Sequence, residues 1–268
     1  MVLFPHAKIN IGLYITKKRK DGFHDLETCF FPVPWTDVLE ITPSEGKFTF
    51  SSSGLAIAGS IEDNLCYKAY ELLQKDYKMP PVHIHLHKII PMGAGLGGGS
   101  SDAAFTLLGL RDLFNLPLTN EDLHAYAAKL GSDCAFFLSK QAAFGKGKGD
   151  QLRPIEASLK GQFLVLLYPA VGISTAQAYA GVTPAKAPVD LQKAILKSDW
   201  KEVISNDFEK SIFPLYPQLA SLKEELYTLG ASYAAMSGSG STIFGIFNKK
   251  IDPPAGWADY TIWTGWVD

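Results

Sequence analysis

A glycine-rich loop between residues 91 and 104 is the part of the sequence that most clearly indicates chemistry. It reads Pro-Met-Gly-Ala-Gly-Leu-Gly-Gly-Gly-Ser-Ser-Asp-Ala-Ala and holds five glycines within the seven residues 93–99. Glycines let main-chain N–H groups approach a ligand closely, and a helix that begins here adds unpaired N–H donors and the positive end of its dipole. The pattern predicts an anion site that suits a chain of phosphates, with Ser100 or Ser101 capping the helix.

The loop differs from the two best-known glycine-rich phosphate sites. A Walker loop needs a lysine for the terminal phosphates, and here two serines follow the last glycine. Gly93, Gly95 and Gly98 match the spacing G-x-G-x-x-G, but Pro91-Met92 interrupts the junction with the preceding strand. A dinucleotide fold also needs a second strand ending in an acidic residue about 20 residues later, and none is evident. The sequence therefore favours another kind of nucleotide site.

Two further residues have side chains suited to phosphoryl or proton transfer. Lys8 precedes the strand-like segment 9–15, and Asp133 lies just after a predicted helix that ends at Gly131. Taken singly, a lysine at a strand start is usually solvated and an aspartate in a turn is usually structural. Spacing alone therefore does not assign either residue to a site.

Composition limits the kind of protein this can be. The 268 residues are 47% hydrophobic and 19% charged with a net charge of −2, so the chain can bury a large core and shows no general nucleic-acid or membrane surface. No apolar run reaches the length of a membrane span and the first residues lack a signal-peptide pattern, so we expect a cytoplasmic protein. Cys29, Cys66 and Cys134 are expected to be buried reduced thiols.

Hydrophobic periodicity predicts a mixed α+β protein with two halves. In chain order it predicts strands 9–15, 38–42 and 47–50, a helix 65–77, a strand 82–89, the helix after the loop, a helix 121–130, a strand 163–168, a helix 219–229 and a strand 241–247. Turn-forming residues concentrate at 145–150, so we place one domain at 1–153 and a second at 154–268. A second small-residue loop, 237–241, precedes the last predicted strand.

Three separated segments together resemble one enzyme family. They are residues 5–13, the glycine-rich loop 91–104 and the small-residue loop 237–241, and in order and spacing they are similar to the GHMP small-molecule kinases. Segment 21–28, with Leu130-Gly131-Ser132-Asp133 and shorter matches as far as residue 247, resembles the branch that acts on a cytidine-diphosphate sugar alcohol in isoprenoid precursor synthesis. The resemblance implies an α+β, GHMP-kinase-like fold of two lobes, with nucleotide and substrate in the cleft between them.

The resemblance also implies a reaction and its catalytic residues. The γ-phosphoryl group of ATP, bound with Mg²⁺, would pass to the 2-hydroxyl of the sugar alcohol. Asp133 would take the hydroxyl proton, and Lys8 would support the charge on the alcohol oxygen and the phosphoryl group. No residue is assigned as a metal ligand. The residues implied to bind ATP are Pro91, Gly93, Gly95, Leu96, Gly97, Gly98, Gly99, Ser100 and Ser101.

For the acceptor, the resemblance implies a small-molecule site with an aromatic part. Phe23 and Tyr179 would stack on the cytosine base and His24 would read its edge, although Phe23 stands where many relatives have tyrosine. The alternative is that the two aromatic residues belong to the core and His24 to a surface turn. We expect a monomer or weak homodimer with no nucleic-acid or membrane partner. The full set of implied substrate-binding residues is Asn10, Phe23, His24, Thr175, Tyr179, Gly238 and Ser239.

Three other functions compete with this interpretation. His83, His85 and His87 share one strand face and could bind zinc, but no further ligand pattern lies nearby, so we interpret them as the wetter side of a sheet. A regulatory nucleotide-binding module would not need both Lys8 and Asp133. A homoserine or mevalonate-type kinase is the runner-up, and Phe23-His24 with Tyr179 favour a base over an acyclic acid.

Overall fold

The computed structural model describes residues 1–197 and 199–267 of the chain. Ser198 and Asp268, both within the predicted second domain, lie outside the described residues. The strands are β1 (Val2–Leu3), β2 (His6–Lys18), β3 (His24–Thr36), β4 (Val38–Pro43), β5 (Thr49–Gly54), β6 (Val82–Lys88), β7 (Ala143–Lys146), β8 (Gln151–Pro154), β9 (Phe163–Tyr168), β10 (Tyr233–Met236), β11 (Ile243–Phe247) and β12 (Thr261–Trp266).

The helices follow in the same chain order. They are α1 (Leu65–Tyr77), α2 (Gly98–Leu113), α3 (Asn120–Leu130), α4 (Thr175–Ala180), α5 (Leu191–Ala194), α6 (Trp200–Val203), α7 (Glu209–Ile212) and α8 (Pro217–Thr228), with short 3-10 helices at Ile61–Asp63, Cys134–Leu138 and Ala255–Trp257. The predicted α+β class is confirmed. Among the described residues, no helix combines the length and the apolar character that crossing a membrane requires.

Two compact units interleave along the chain. Unit 1 comprises residues 1–7, 35–92 and 97–140, and unit 2 comprises residues 8–34, 93–96 and 141–268. Each unit groups residues that contact one another in space, so its bounds do not test where one domain of the sequence ends and the next begins. The domain boundary placed between residues 153 and 154 therefore stays a prediction.

Unit 1 contains a four-stranded sheet in the order β1-β4-β6-β5, with β5 parallel to β6 and the other pairs antiparallel. In β6 the inward Val82, Ile84 and Leu86 are at most 1% exposed. His83, His85 and His87 lie on the opposite face, where each is hydrogen-bonded to hydroxyls of β5. The predicted alternation of this strand is therefore confirmed.

Helices α1, α2 and α3 of unit 1 pack on one another, and α2 also packs on β4. Asn64 caps α1 by accepting the Cys66 N–H at 2.8 Å. A Cβ on Gly109 would lie 2.6 Å from Leu3 Cδ1 and 2.8 Å from Ile41 Cδ1, so only glycine permits this close approach of α2 to the sheet. Helix α3 ends at Gly131, as predicted.

Unit 2 contains two four-stranded sheets, ordered β2-β3-β7-β8 and β10-β11-β9-β12. Its apolar core joins residues of β2, β9 and β11 to α8, with Leu13, Val165, Leu222 and Phe247 among the members. The glycine-rich stretch 145–150, predicted as a turn between halves, connects β7 to β8 as an antiparallel pair.

The sequence analysis missed β3 and several short elements. Strand β3 contains Pro32 and Pro34, which lack the N–H that a central strand needs. It pairs with β7 through Thr28, Cys29 and Phe30, before the prolines begin. Strands β10 and β12 and helices α5 to α7 are four to six residues long and give little periodicity.

Candidate active site

Lys8 lies in β2 of unit 2 with only 3% of its surface exposed. Its Nζ donates to Asn10 Oδ1 at 2.6 Å and to the main-chain oxygen of Gly95 at 2.8 Å. Its main-chain N–H donates to Leu96 O at 3.0 Å. Lys8 is therefore not one of the solvated lysines usual at strand starts, because the strand and the glycine-rich loop together bury the ammonium and hold it with oxygen acceptors.

Asn10 is fixed in one orientation by its two neighbours. Its Oδ1 accepts from Lys8, and its Nδ2 donates to Thr28 Oγ1 at 2.9 Å. Thr28 in turn donates to the Gly12 carbonyl at 2.6 Å. This buried chain of hydrogen bonds sets the position of the lysine ammonium, because Asn10 can present its oxygen to Lys8 only while its amide N–H faces Thr28.

The small-residue loop 237–241 packs against the part of the glycine-rich loop that belongs to unit 2. Ser237 Oγ donates to Gly95 O at 2.8 Å. A Cβ on Gly95, whose φ is +77°, would lie 2.0 Å from the Ser237 carbonyl oxygen. A Cβ on Gly238 would lie 3.3 Å from Lys8 Nζ and 3.4 Å from Asn10 Oδ1. The structure thus brings together four predicted site residues: Lys8, Asn10, Gly95 and Gly238.

In unit 1, α2 begins within the glycine-rich loop, but its cap differs from the prediction. The N-cap is Gly97, with φ at +71° and no side-chain cap, so the expected capping by Ser100 or Ser101 is wrong. Both serines lie in the first turns of α2, and Ser101 N–H donates to Gly97 O at 2.9 Å. The N–H groups of Gly98, Gly99 and Ser100 precede this first helical bond and remain available to an anion.

The turn that carries Asp133 lies beside this helix start. Asp133 precedes the 3-10 helix Cys134–Leu138, and its carbonyl accepts the Phe136 N–H at 3.1 Å. A Cβ on Gly131 would lie 3.9 Å from Ser100 Oγ and 3.4 Å from Cys134 Sγ. Unit 1 therefore holds a half-buried aspartate next to helix N–H donors.

The cysteines near and beyond this turn have no nucleophilic chemistry. All three are free and buried, as predicted. Burial raises the pKa of Cys134 to about 11 and that of Cys29 to about 12. The thiols therefore remain protonated at neutral pH.

The predicted base-binding residues lie in unit 2. The His24 and Tyr179 rings are stacked, with centroids 4.8 Å apart and planes 22° apart. Phe23 is 55% exposed, and Lys148 Nζ lies 4.8 Å from the centroid of its ring. Arg19, bonded to Asp21 and Asp25, orders the turn before Phe23. Phe23 is thus an exposed aromatic face rather than a core residue.

The remaining predicted residues occupy loops and helix starts. Thr175 is exposed at the first position of α4, one turn before Tyr179, and Ser239 is half-buried in the small-residue loop. Pro91 and Leu96 are buried, and Gly93 has φ at +63° with open space where a Cβ would lie.

Three residues of this neighbourhood were missed by the sequence analysis. Besides Thr28 and Ser237, Asn206 Nδ2 donates to the carbonyls of Met236 and Gly238, each at 2.8 Å, and is 1% exposed. It holds the small-residue loop in shape. Only its place in a family-like segment could have marked it, since an asparagine has no distinctive spacing.

Protein ligands for a metal are few. Within the described ranges, no group of three or more histidine, cysteine, aspartate or glutamate side chains could hold an ion. Unit 1 offers the Ser100 hydroxyl in the first turn of α2, beside the turn that carries Asp133. That donor set fits Mg²⁺, which keeps several waters and binds through few carboxylates plus substrate phosphates.

Comparison with known proteins agrees with this geometry. Residues 64–141 match the family GHMP kinases N terminal domain, and residues 191–257 match GHMP kinases C terminal. A 4-diphosphocytidyl-2-C-methyl-D-erythritol kinase of Bacteroides fragilis is 52% identical over 255 residues, which are 93% of each chain. The chain belongs to the GHMP kinase family, whose members are ATP-dependent small-molecule kinases.

Solved structures give the same fold. A crystal structure of 4-(cytidine 5'-diphospho)-2C-methyl-D-erythritol kinase matches with a TM-score of 0.78 and 33% identity, over 92% of this chain and 90% of that one. The mevalonate kinase of Methanococcus jannaschii matches with a TM-score of 0.72 over 98% of this chain and 97% of that one, at 14% identity. The second match concerns the fold alone.

Proposed function

We propose that this chain transfers the γ-phosphoryl group of ATP to the 2-hydroxyl of 4-(cytidine 5'-diphospho)-2-C-methyl-D-erythritol, a step of the non-mevalonate route to isoprenoid precursors. The acceptor is supported by the 52% identity to a kinase named for it. The structural observation that carries the proposal is the buried Lys8 ammonium, held 2.8 Å from the Gly95 carbonyl of the glycine-rich loop. A cation fixed at such a loop suits phosphoryl transfer.

The triphosphate would be bound mainly by main-chain groups. The N–H groups of Gly98, Gly99 and Ser100 precede the first hydrogen bond of α2, where the helix dipole favours negative charge. The side chains of Ser100 and Ser101 would add hydroxyl donors to the phosphates. The rest of the triphosphate would lie along Pro91, Gly93, Gly95, Leu96 and Gly97. When bound, Mg²⁺ would neutralise phosphate charge, and the Ser100 hydroxyl is the donor that this chain would provide.

In the proposed reaction, the acceptor oxygen forms a bond to the γ-phosphorus while the bond from that phosphorus to the ADP oxygen breaks. The hydroxyl proton passes to the Asp133 carboxylate. Lys8 supports the negative charge on the transferred group, and a loose transition state makes this positioning more important than a strong base.

The acceptor would be recognised through its base and its polyol. Phe23 presents an exposed ring, and Tyr179 with His24 forms a stacked pair, so a cytosine could lie against aromatic faces while His24 reads its edge. For the rest of the acceptor, outside its base, the proposed contacts are Asn10, Thr175, Gly238 and Ser239. Asn10 is the best supported of these, because the same side chain holds Lys8.

A panel assay tests the proposal. Purified protein, ATP and Mg²⁺ are incubated with the cytidylylated alcohol, homoserine or mevalonate, and ADP release and product mass are measured. We expect phosphorylation of the cytidylylated alcohol at one hydroxyl. Turnover of homoserine or mevalonate without turnover of that compound would overturn the acceptor assignment.

Assembly and location complete the proposal. We propose a monomer or weak homodimer, which sedimentation at several concentrations would test. The cytoplasmic location expected from the sequence stays a prediction that cell fractionation would test.

A further inference from the structure

Three charged side chains of unit 1 meet out of contact with water. Lys88, the last residue of β6, is 1% exposed, Asp37 is fully buried and Asp102 of α2 is 3% exposed. Lys88 Nζ donates to Asp102 Oδ2 at 2.8 Å and also to Asp37 Oδ2. We call Lys88, Asp37 and Asp102 the Lys88 cluster.

The Lys88 cluster holds the chain on both sides of the glycine-rich loop. On the incoming side, Asp37 Oδ1 accepts the N–H groups of Ile89 and Ile90 at 2.6 and 2.8 Å, just before the loop starts at Pro91. On the outgoing side, Asp102 lies in the second turn of α2 and is tied to Lys88. One ammonium therefore joins the two ends of the loop.

The first turn of α2 also rests directly on this lysine. A Cβ on Gly98 would lie 2.9 Å from Lys88 Nζ and 3.1 Å from Ile90 Cγ2. Any shift of the ammonium would therefore move the helix start, whose N–H groups are the proposed phosphate donors. Gly98 is required here because a side chain would push the helix away from the cluster.

Stability alone is a poor reason for such a cluster. Two buried carboxylates face one ammonium, and desolvating such charges commonly offsets their attraction. Within the described part of the chain, Asp102 Oδ1 is buried without a hydrogen-bond partner. Burying the Asp102 carboxylate in this way is unfavourable in free energy, which points to a role in positioning α2.

We propose that the Lys88 cluster positions the N-terminal turn of α2 for nucleotide binding, with Asp102 as a positioning residue that acts through Lys88. The inference rests on the proposed function only in requiring that ATP binds at this loop. If the ammonium sets where the N–H donors point, losing its link to α2 weakens the grip on the triphosphate. A misplacement of about 1 Å can reduce the rate of an enzymatic reaction by about a hundredfold, so the position of these N–H donors matters.

The test compares two substitutions of Asp102. Asp102→Ala removes the acceptor and leaves Lys88 paired with Asp37, whereas Asp102→Asn keeps an oxygen within reach of Lys88 Nζ. ATP affinity is measured by calorimetry without acceptor, and KM for each substrate is measured separately. We expect Asp102→Ala to weaken ATP binding at least tenfold and to raise KM for ATP, with KM for the acceptor unchanged. Asp102→Asn is expected to stay within threefold of the unsubstituted protein.

Thr106→Val is the matched control, because Thr106 is buried in the same helix and its hydroxyl donates to the Asp102 main-chain carbonyl rather than to the Lys88 cluster. It should bind ATP normally even if denaturant unfolding shows reduced stability. Should Asp102→Ala not fold, Asp102→Leu, which has similar bulk and no acceptor, replaces it. Normal ATP affinity in folded Asp102→Ala or folded Asp102→Leu, or an equal loss in Thr106→Val, would overturn the inference.

The assay also separates this inference from the proposed function. Loss of ATP affinity in Asp102→Ala supports the positioning role even if the panel assay finds another acceptor. If the unsubstituted protein does not bind ATP, both the inference and the proposed function are wrong.

Discussion

Two buried lysines of this molecule, Lys8 in unit 2 and Lys88 in unit 1, are tied to different parts of the fold. Lys8 donates to Asn10 Oδ1 on β2 and to the Gly95 carbonyl of the glycine-rich loop. Lys88 donates to two carboxylates. Burial lowers the pKa of Lys88, but Asp102 and Asp37 raise it above its ordinary value. Lys8 therefore joins β2 to the proposed phosphate loop, whereas Lys88 joins α2 to the chain that precedes this loop.

The strongest way to break this comparison is to remove the charge at Lys8. Lys8→Met should lower turnover about a hundredfold or more, because a preorganised charge donor for the transferred phosphoryl group is lost. Lys250→Met is the control, since Lys250 is 67% exposed and its ammonium lies 3.5 Å from the exposed Asp252 carboxylate. Steady-state kinetics on folded protein checks this. Equal turnover in the two variants would place Lys8 outside the chemistry.

The contact between the two small-residue loops gives the next largest effect. Gly95→Ala would place a Cβ 2.0 Å from the Ser237 carbonyl, so the loop must move away from Lys8. We expect turnover to fall roughly 10- to 100-fold. Gly161→Ala is the control, because Gly161 has the same φ of +77° and open space around its Cβ position. Its cost should be only the backbone strain, about 1–2 kcal/mol in unfolding free energy.

A third measurement sharpens the contrast between the lysine and the aromatic pair. Tyr179→Ala removes a ring that stacks on His24, and we expect KM for the cytidylylated acceptor to rise about tenfold, as stacking contributes roughly 1–3 kcal/mol per base. Tyr179→Phe should retain most of the affinity. KM for ATP should not change in either variant, and a rise in both KM values would contradict a base-binding role.

His6 is a third buried basic group, and its effect is the smallest. Burial lowers its pKa below 6.5, with Lys140 adding to the decrease. The folded state therefore disfavours protonation of His6. As the pH decreases below 6.5, the free energy of unfolding falls by at most about 1.4 kcal/mol per pH unit, whereas above pH 6.5 this contribution is fully retained. His6→Phe keeps ring contacts with Phe105 and Phe137 but cannot titrate.

Urea unfolding at a series of pH values between 5 and 8 measures this effect. The unsubstituted protein should lose more stability on acidification than His6→Phe. If both proteins lose stability equally on acidification, protonation of His6 does not contribute to the pH dependence of unfolding.

Elements with strong local periodicity were predictable from sequence. Helix α1 and strand β9 have the predicted bounds, because their apolar residues recur at helical spacing or form a continuous buried run. Strand β3 was missed because two prolines obscure it. The helix cap at α2 was assigned to serine because serine usually caps helices, whereas a glycine with positive φ fills that position.

The candidate site was only partly predictable. Family-like segments identified Lys8 and Asn10, but the contact of Lys8 with Gly95 joins residues 87 positions apart, which no local pattern contains. The Lys88 cluster left one signal that could have been used. Lys88 shares the inward register of Val82, Ile84 and Leu86, and a charged residue at such a position needs buried partners.

The most direct test of the account measures phosphoryl transfer in a single turnover with the cytidylylated alcohol, ATP and Mg²⁺, for the unsubstituted protein and Asp133→Asn. Asp133→Asn keeps the shape of the side chain and removes its ability to take the proton. We predict normal ATP binding with transfer slowed about a hundredfold or more. Transfer at the normal rate in folded Asp133→Asn would contradict the proposed mechanism.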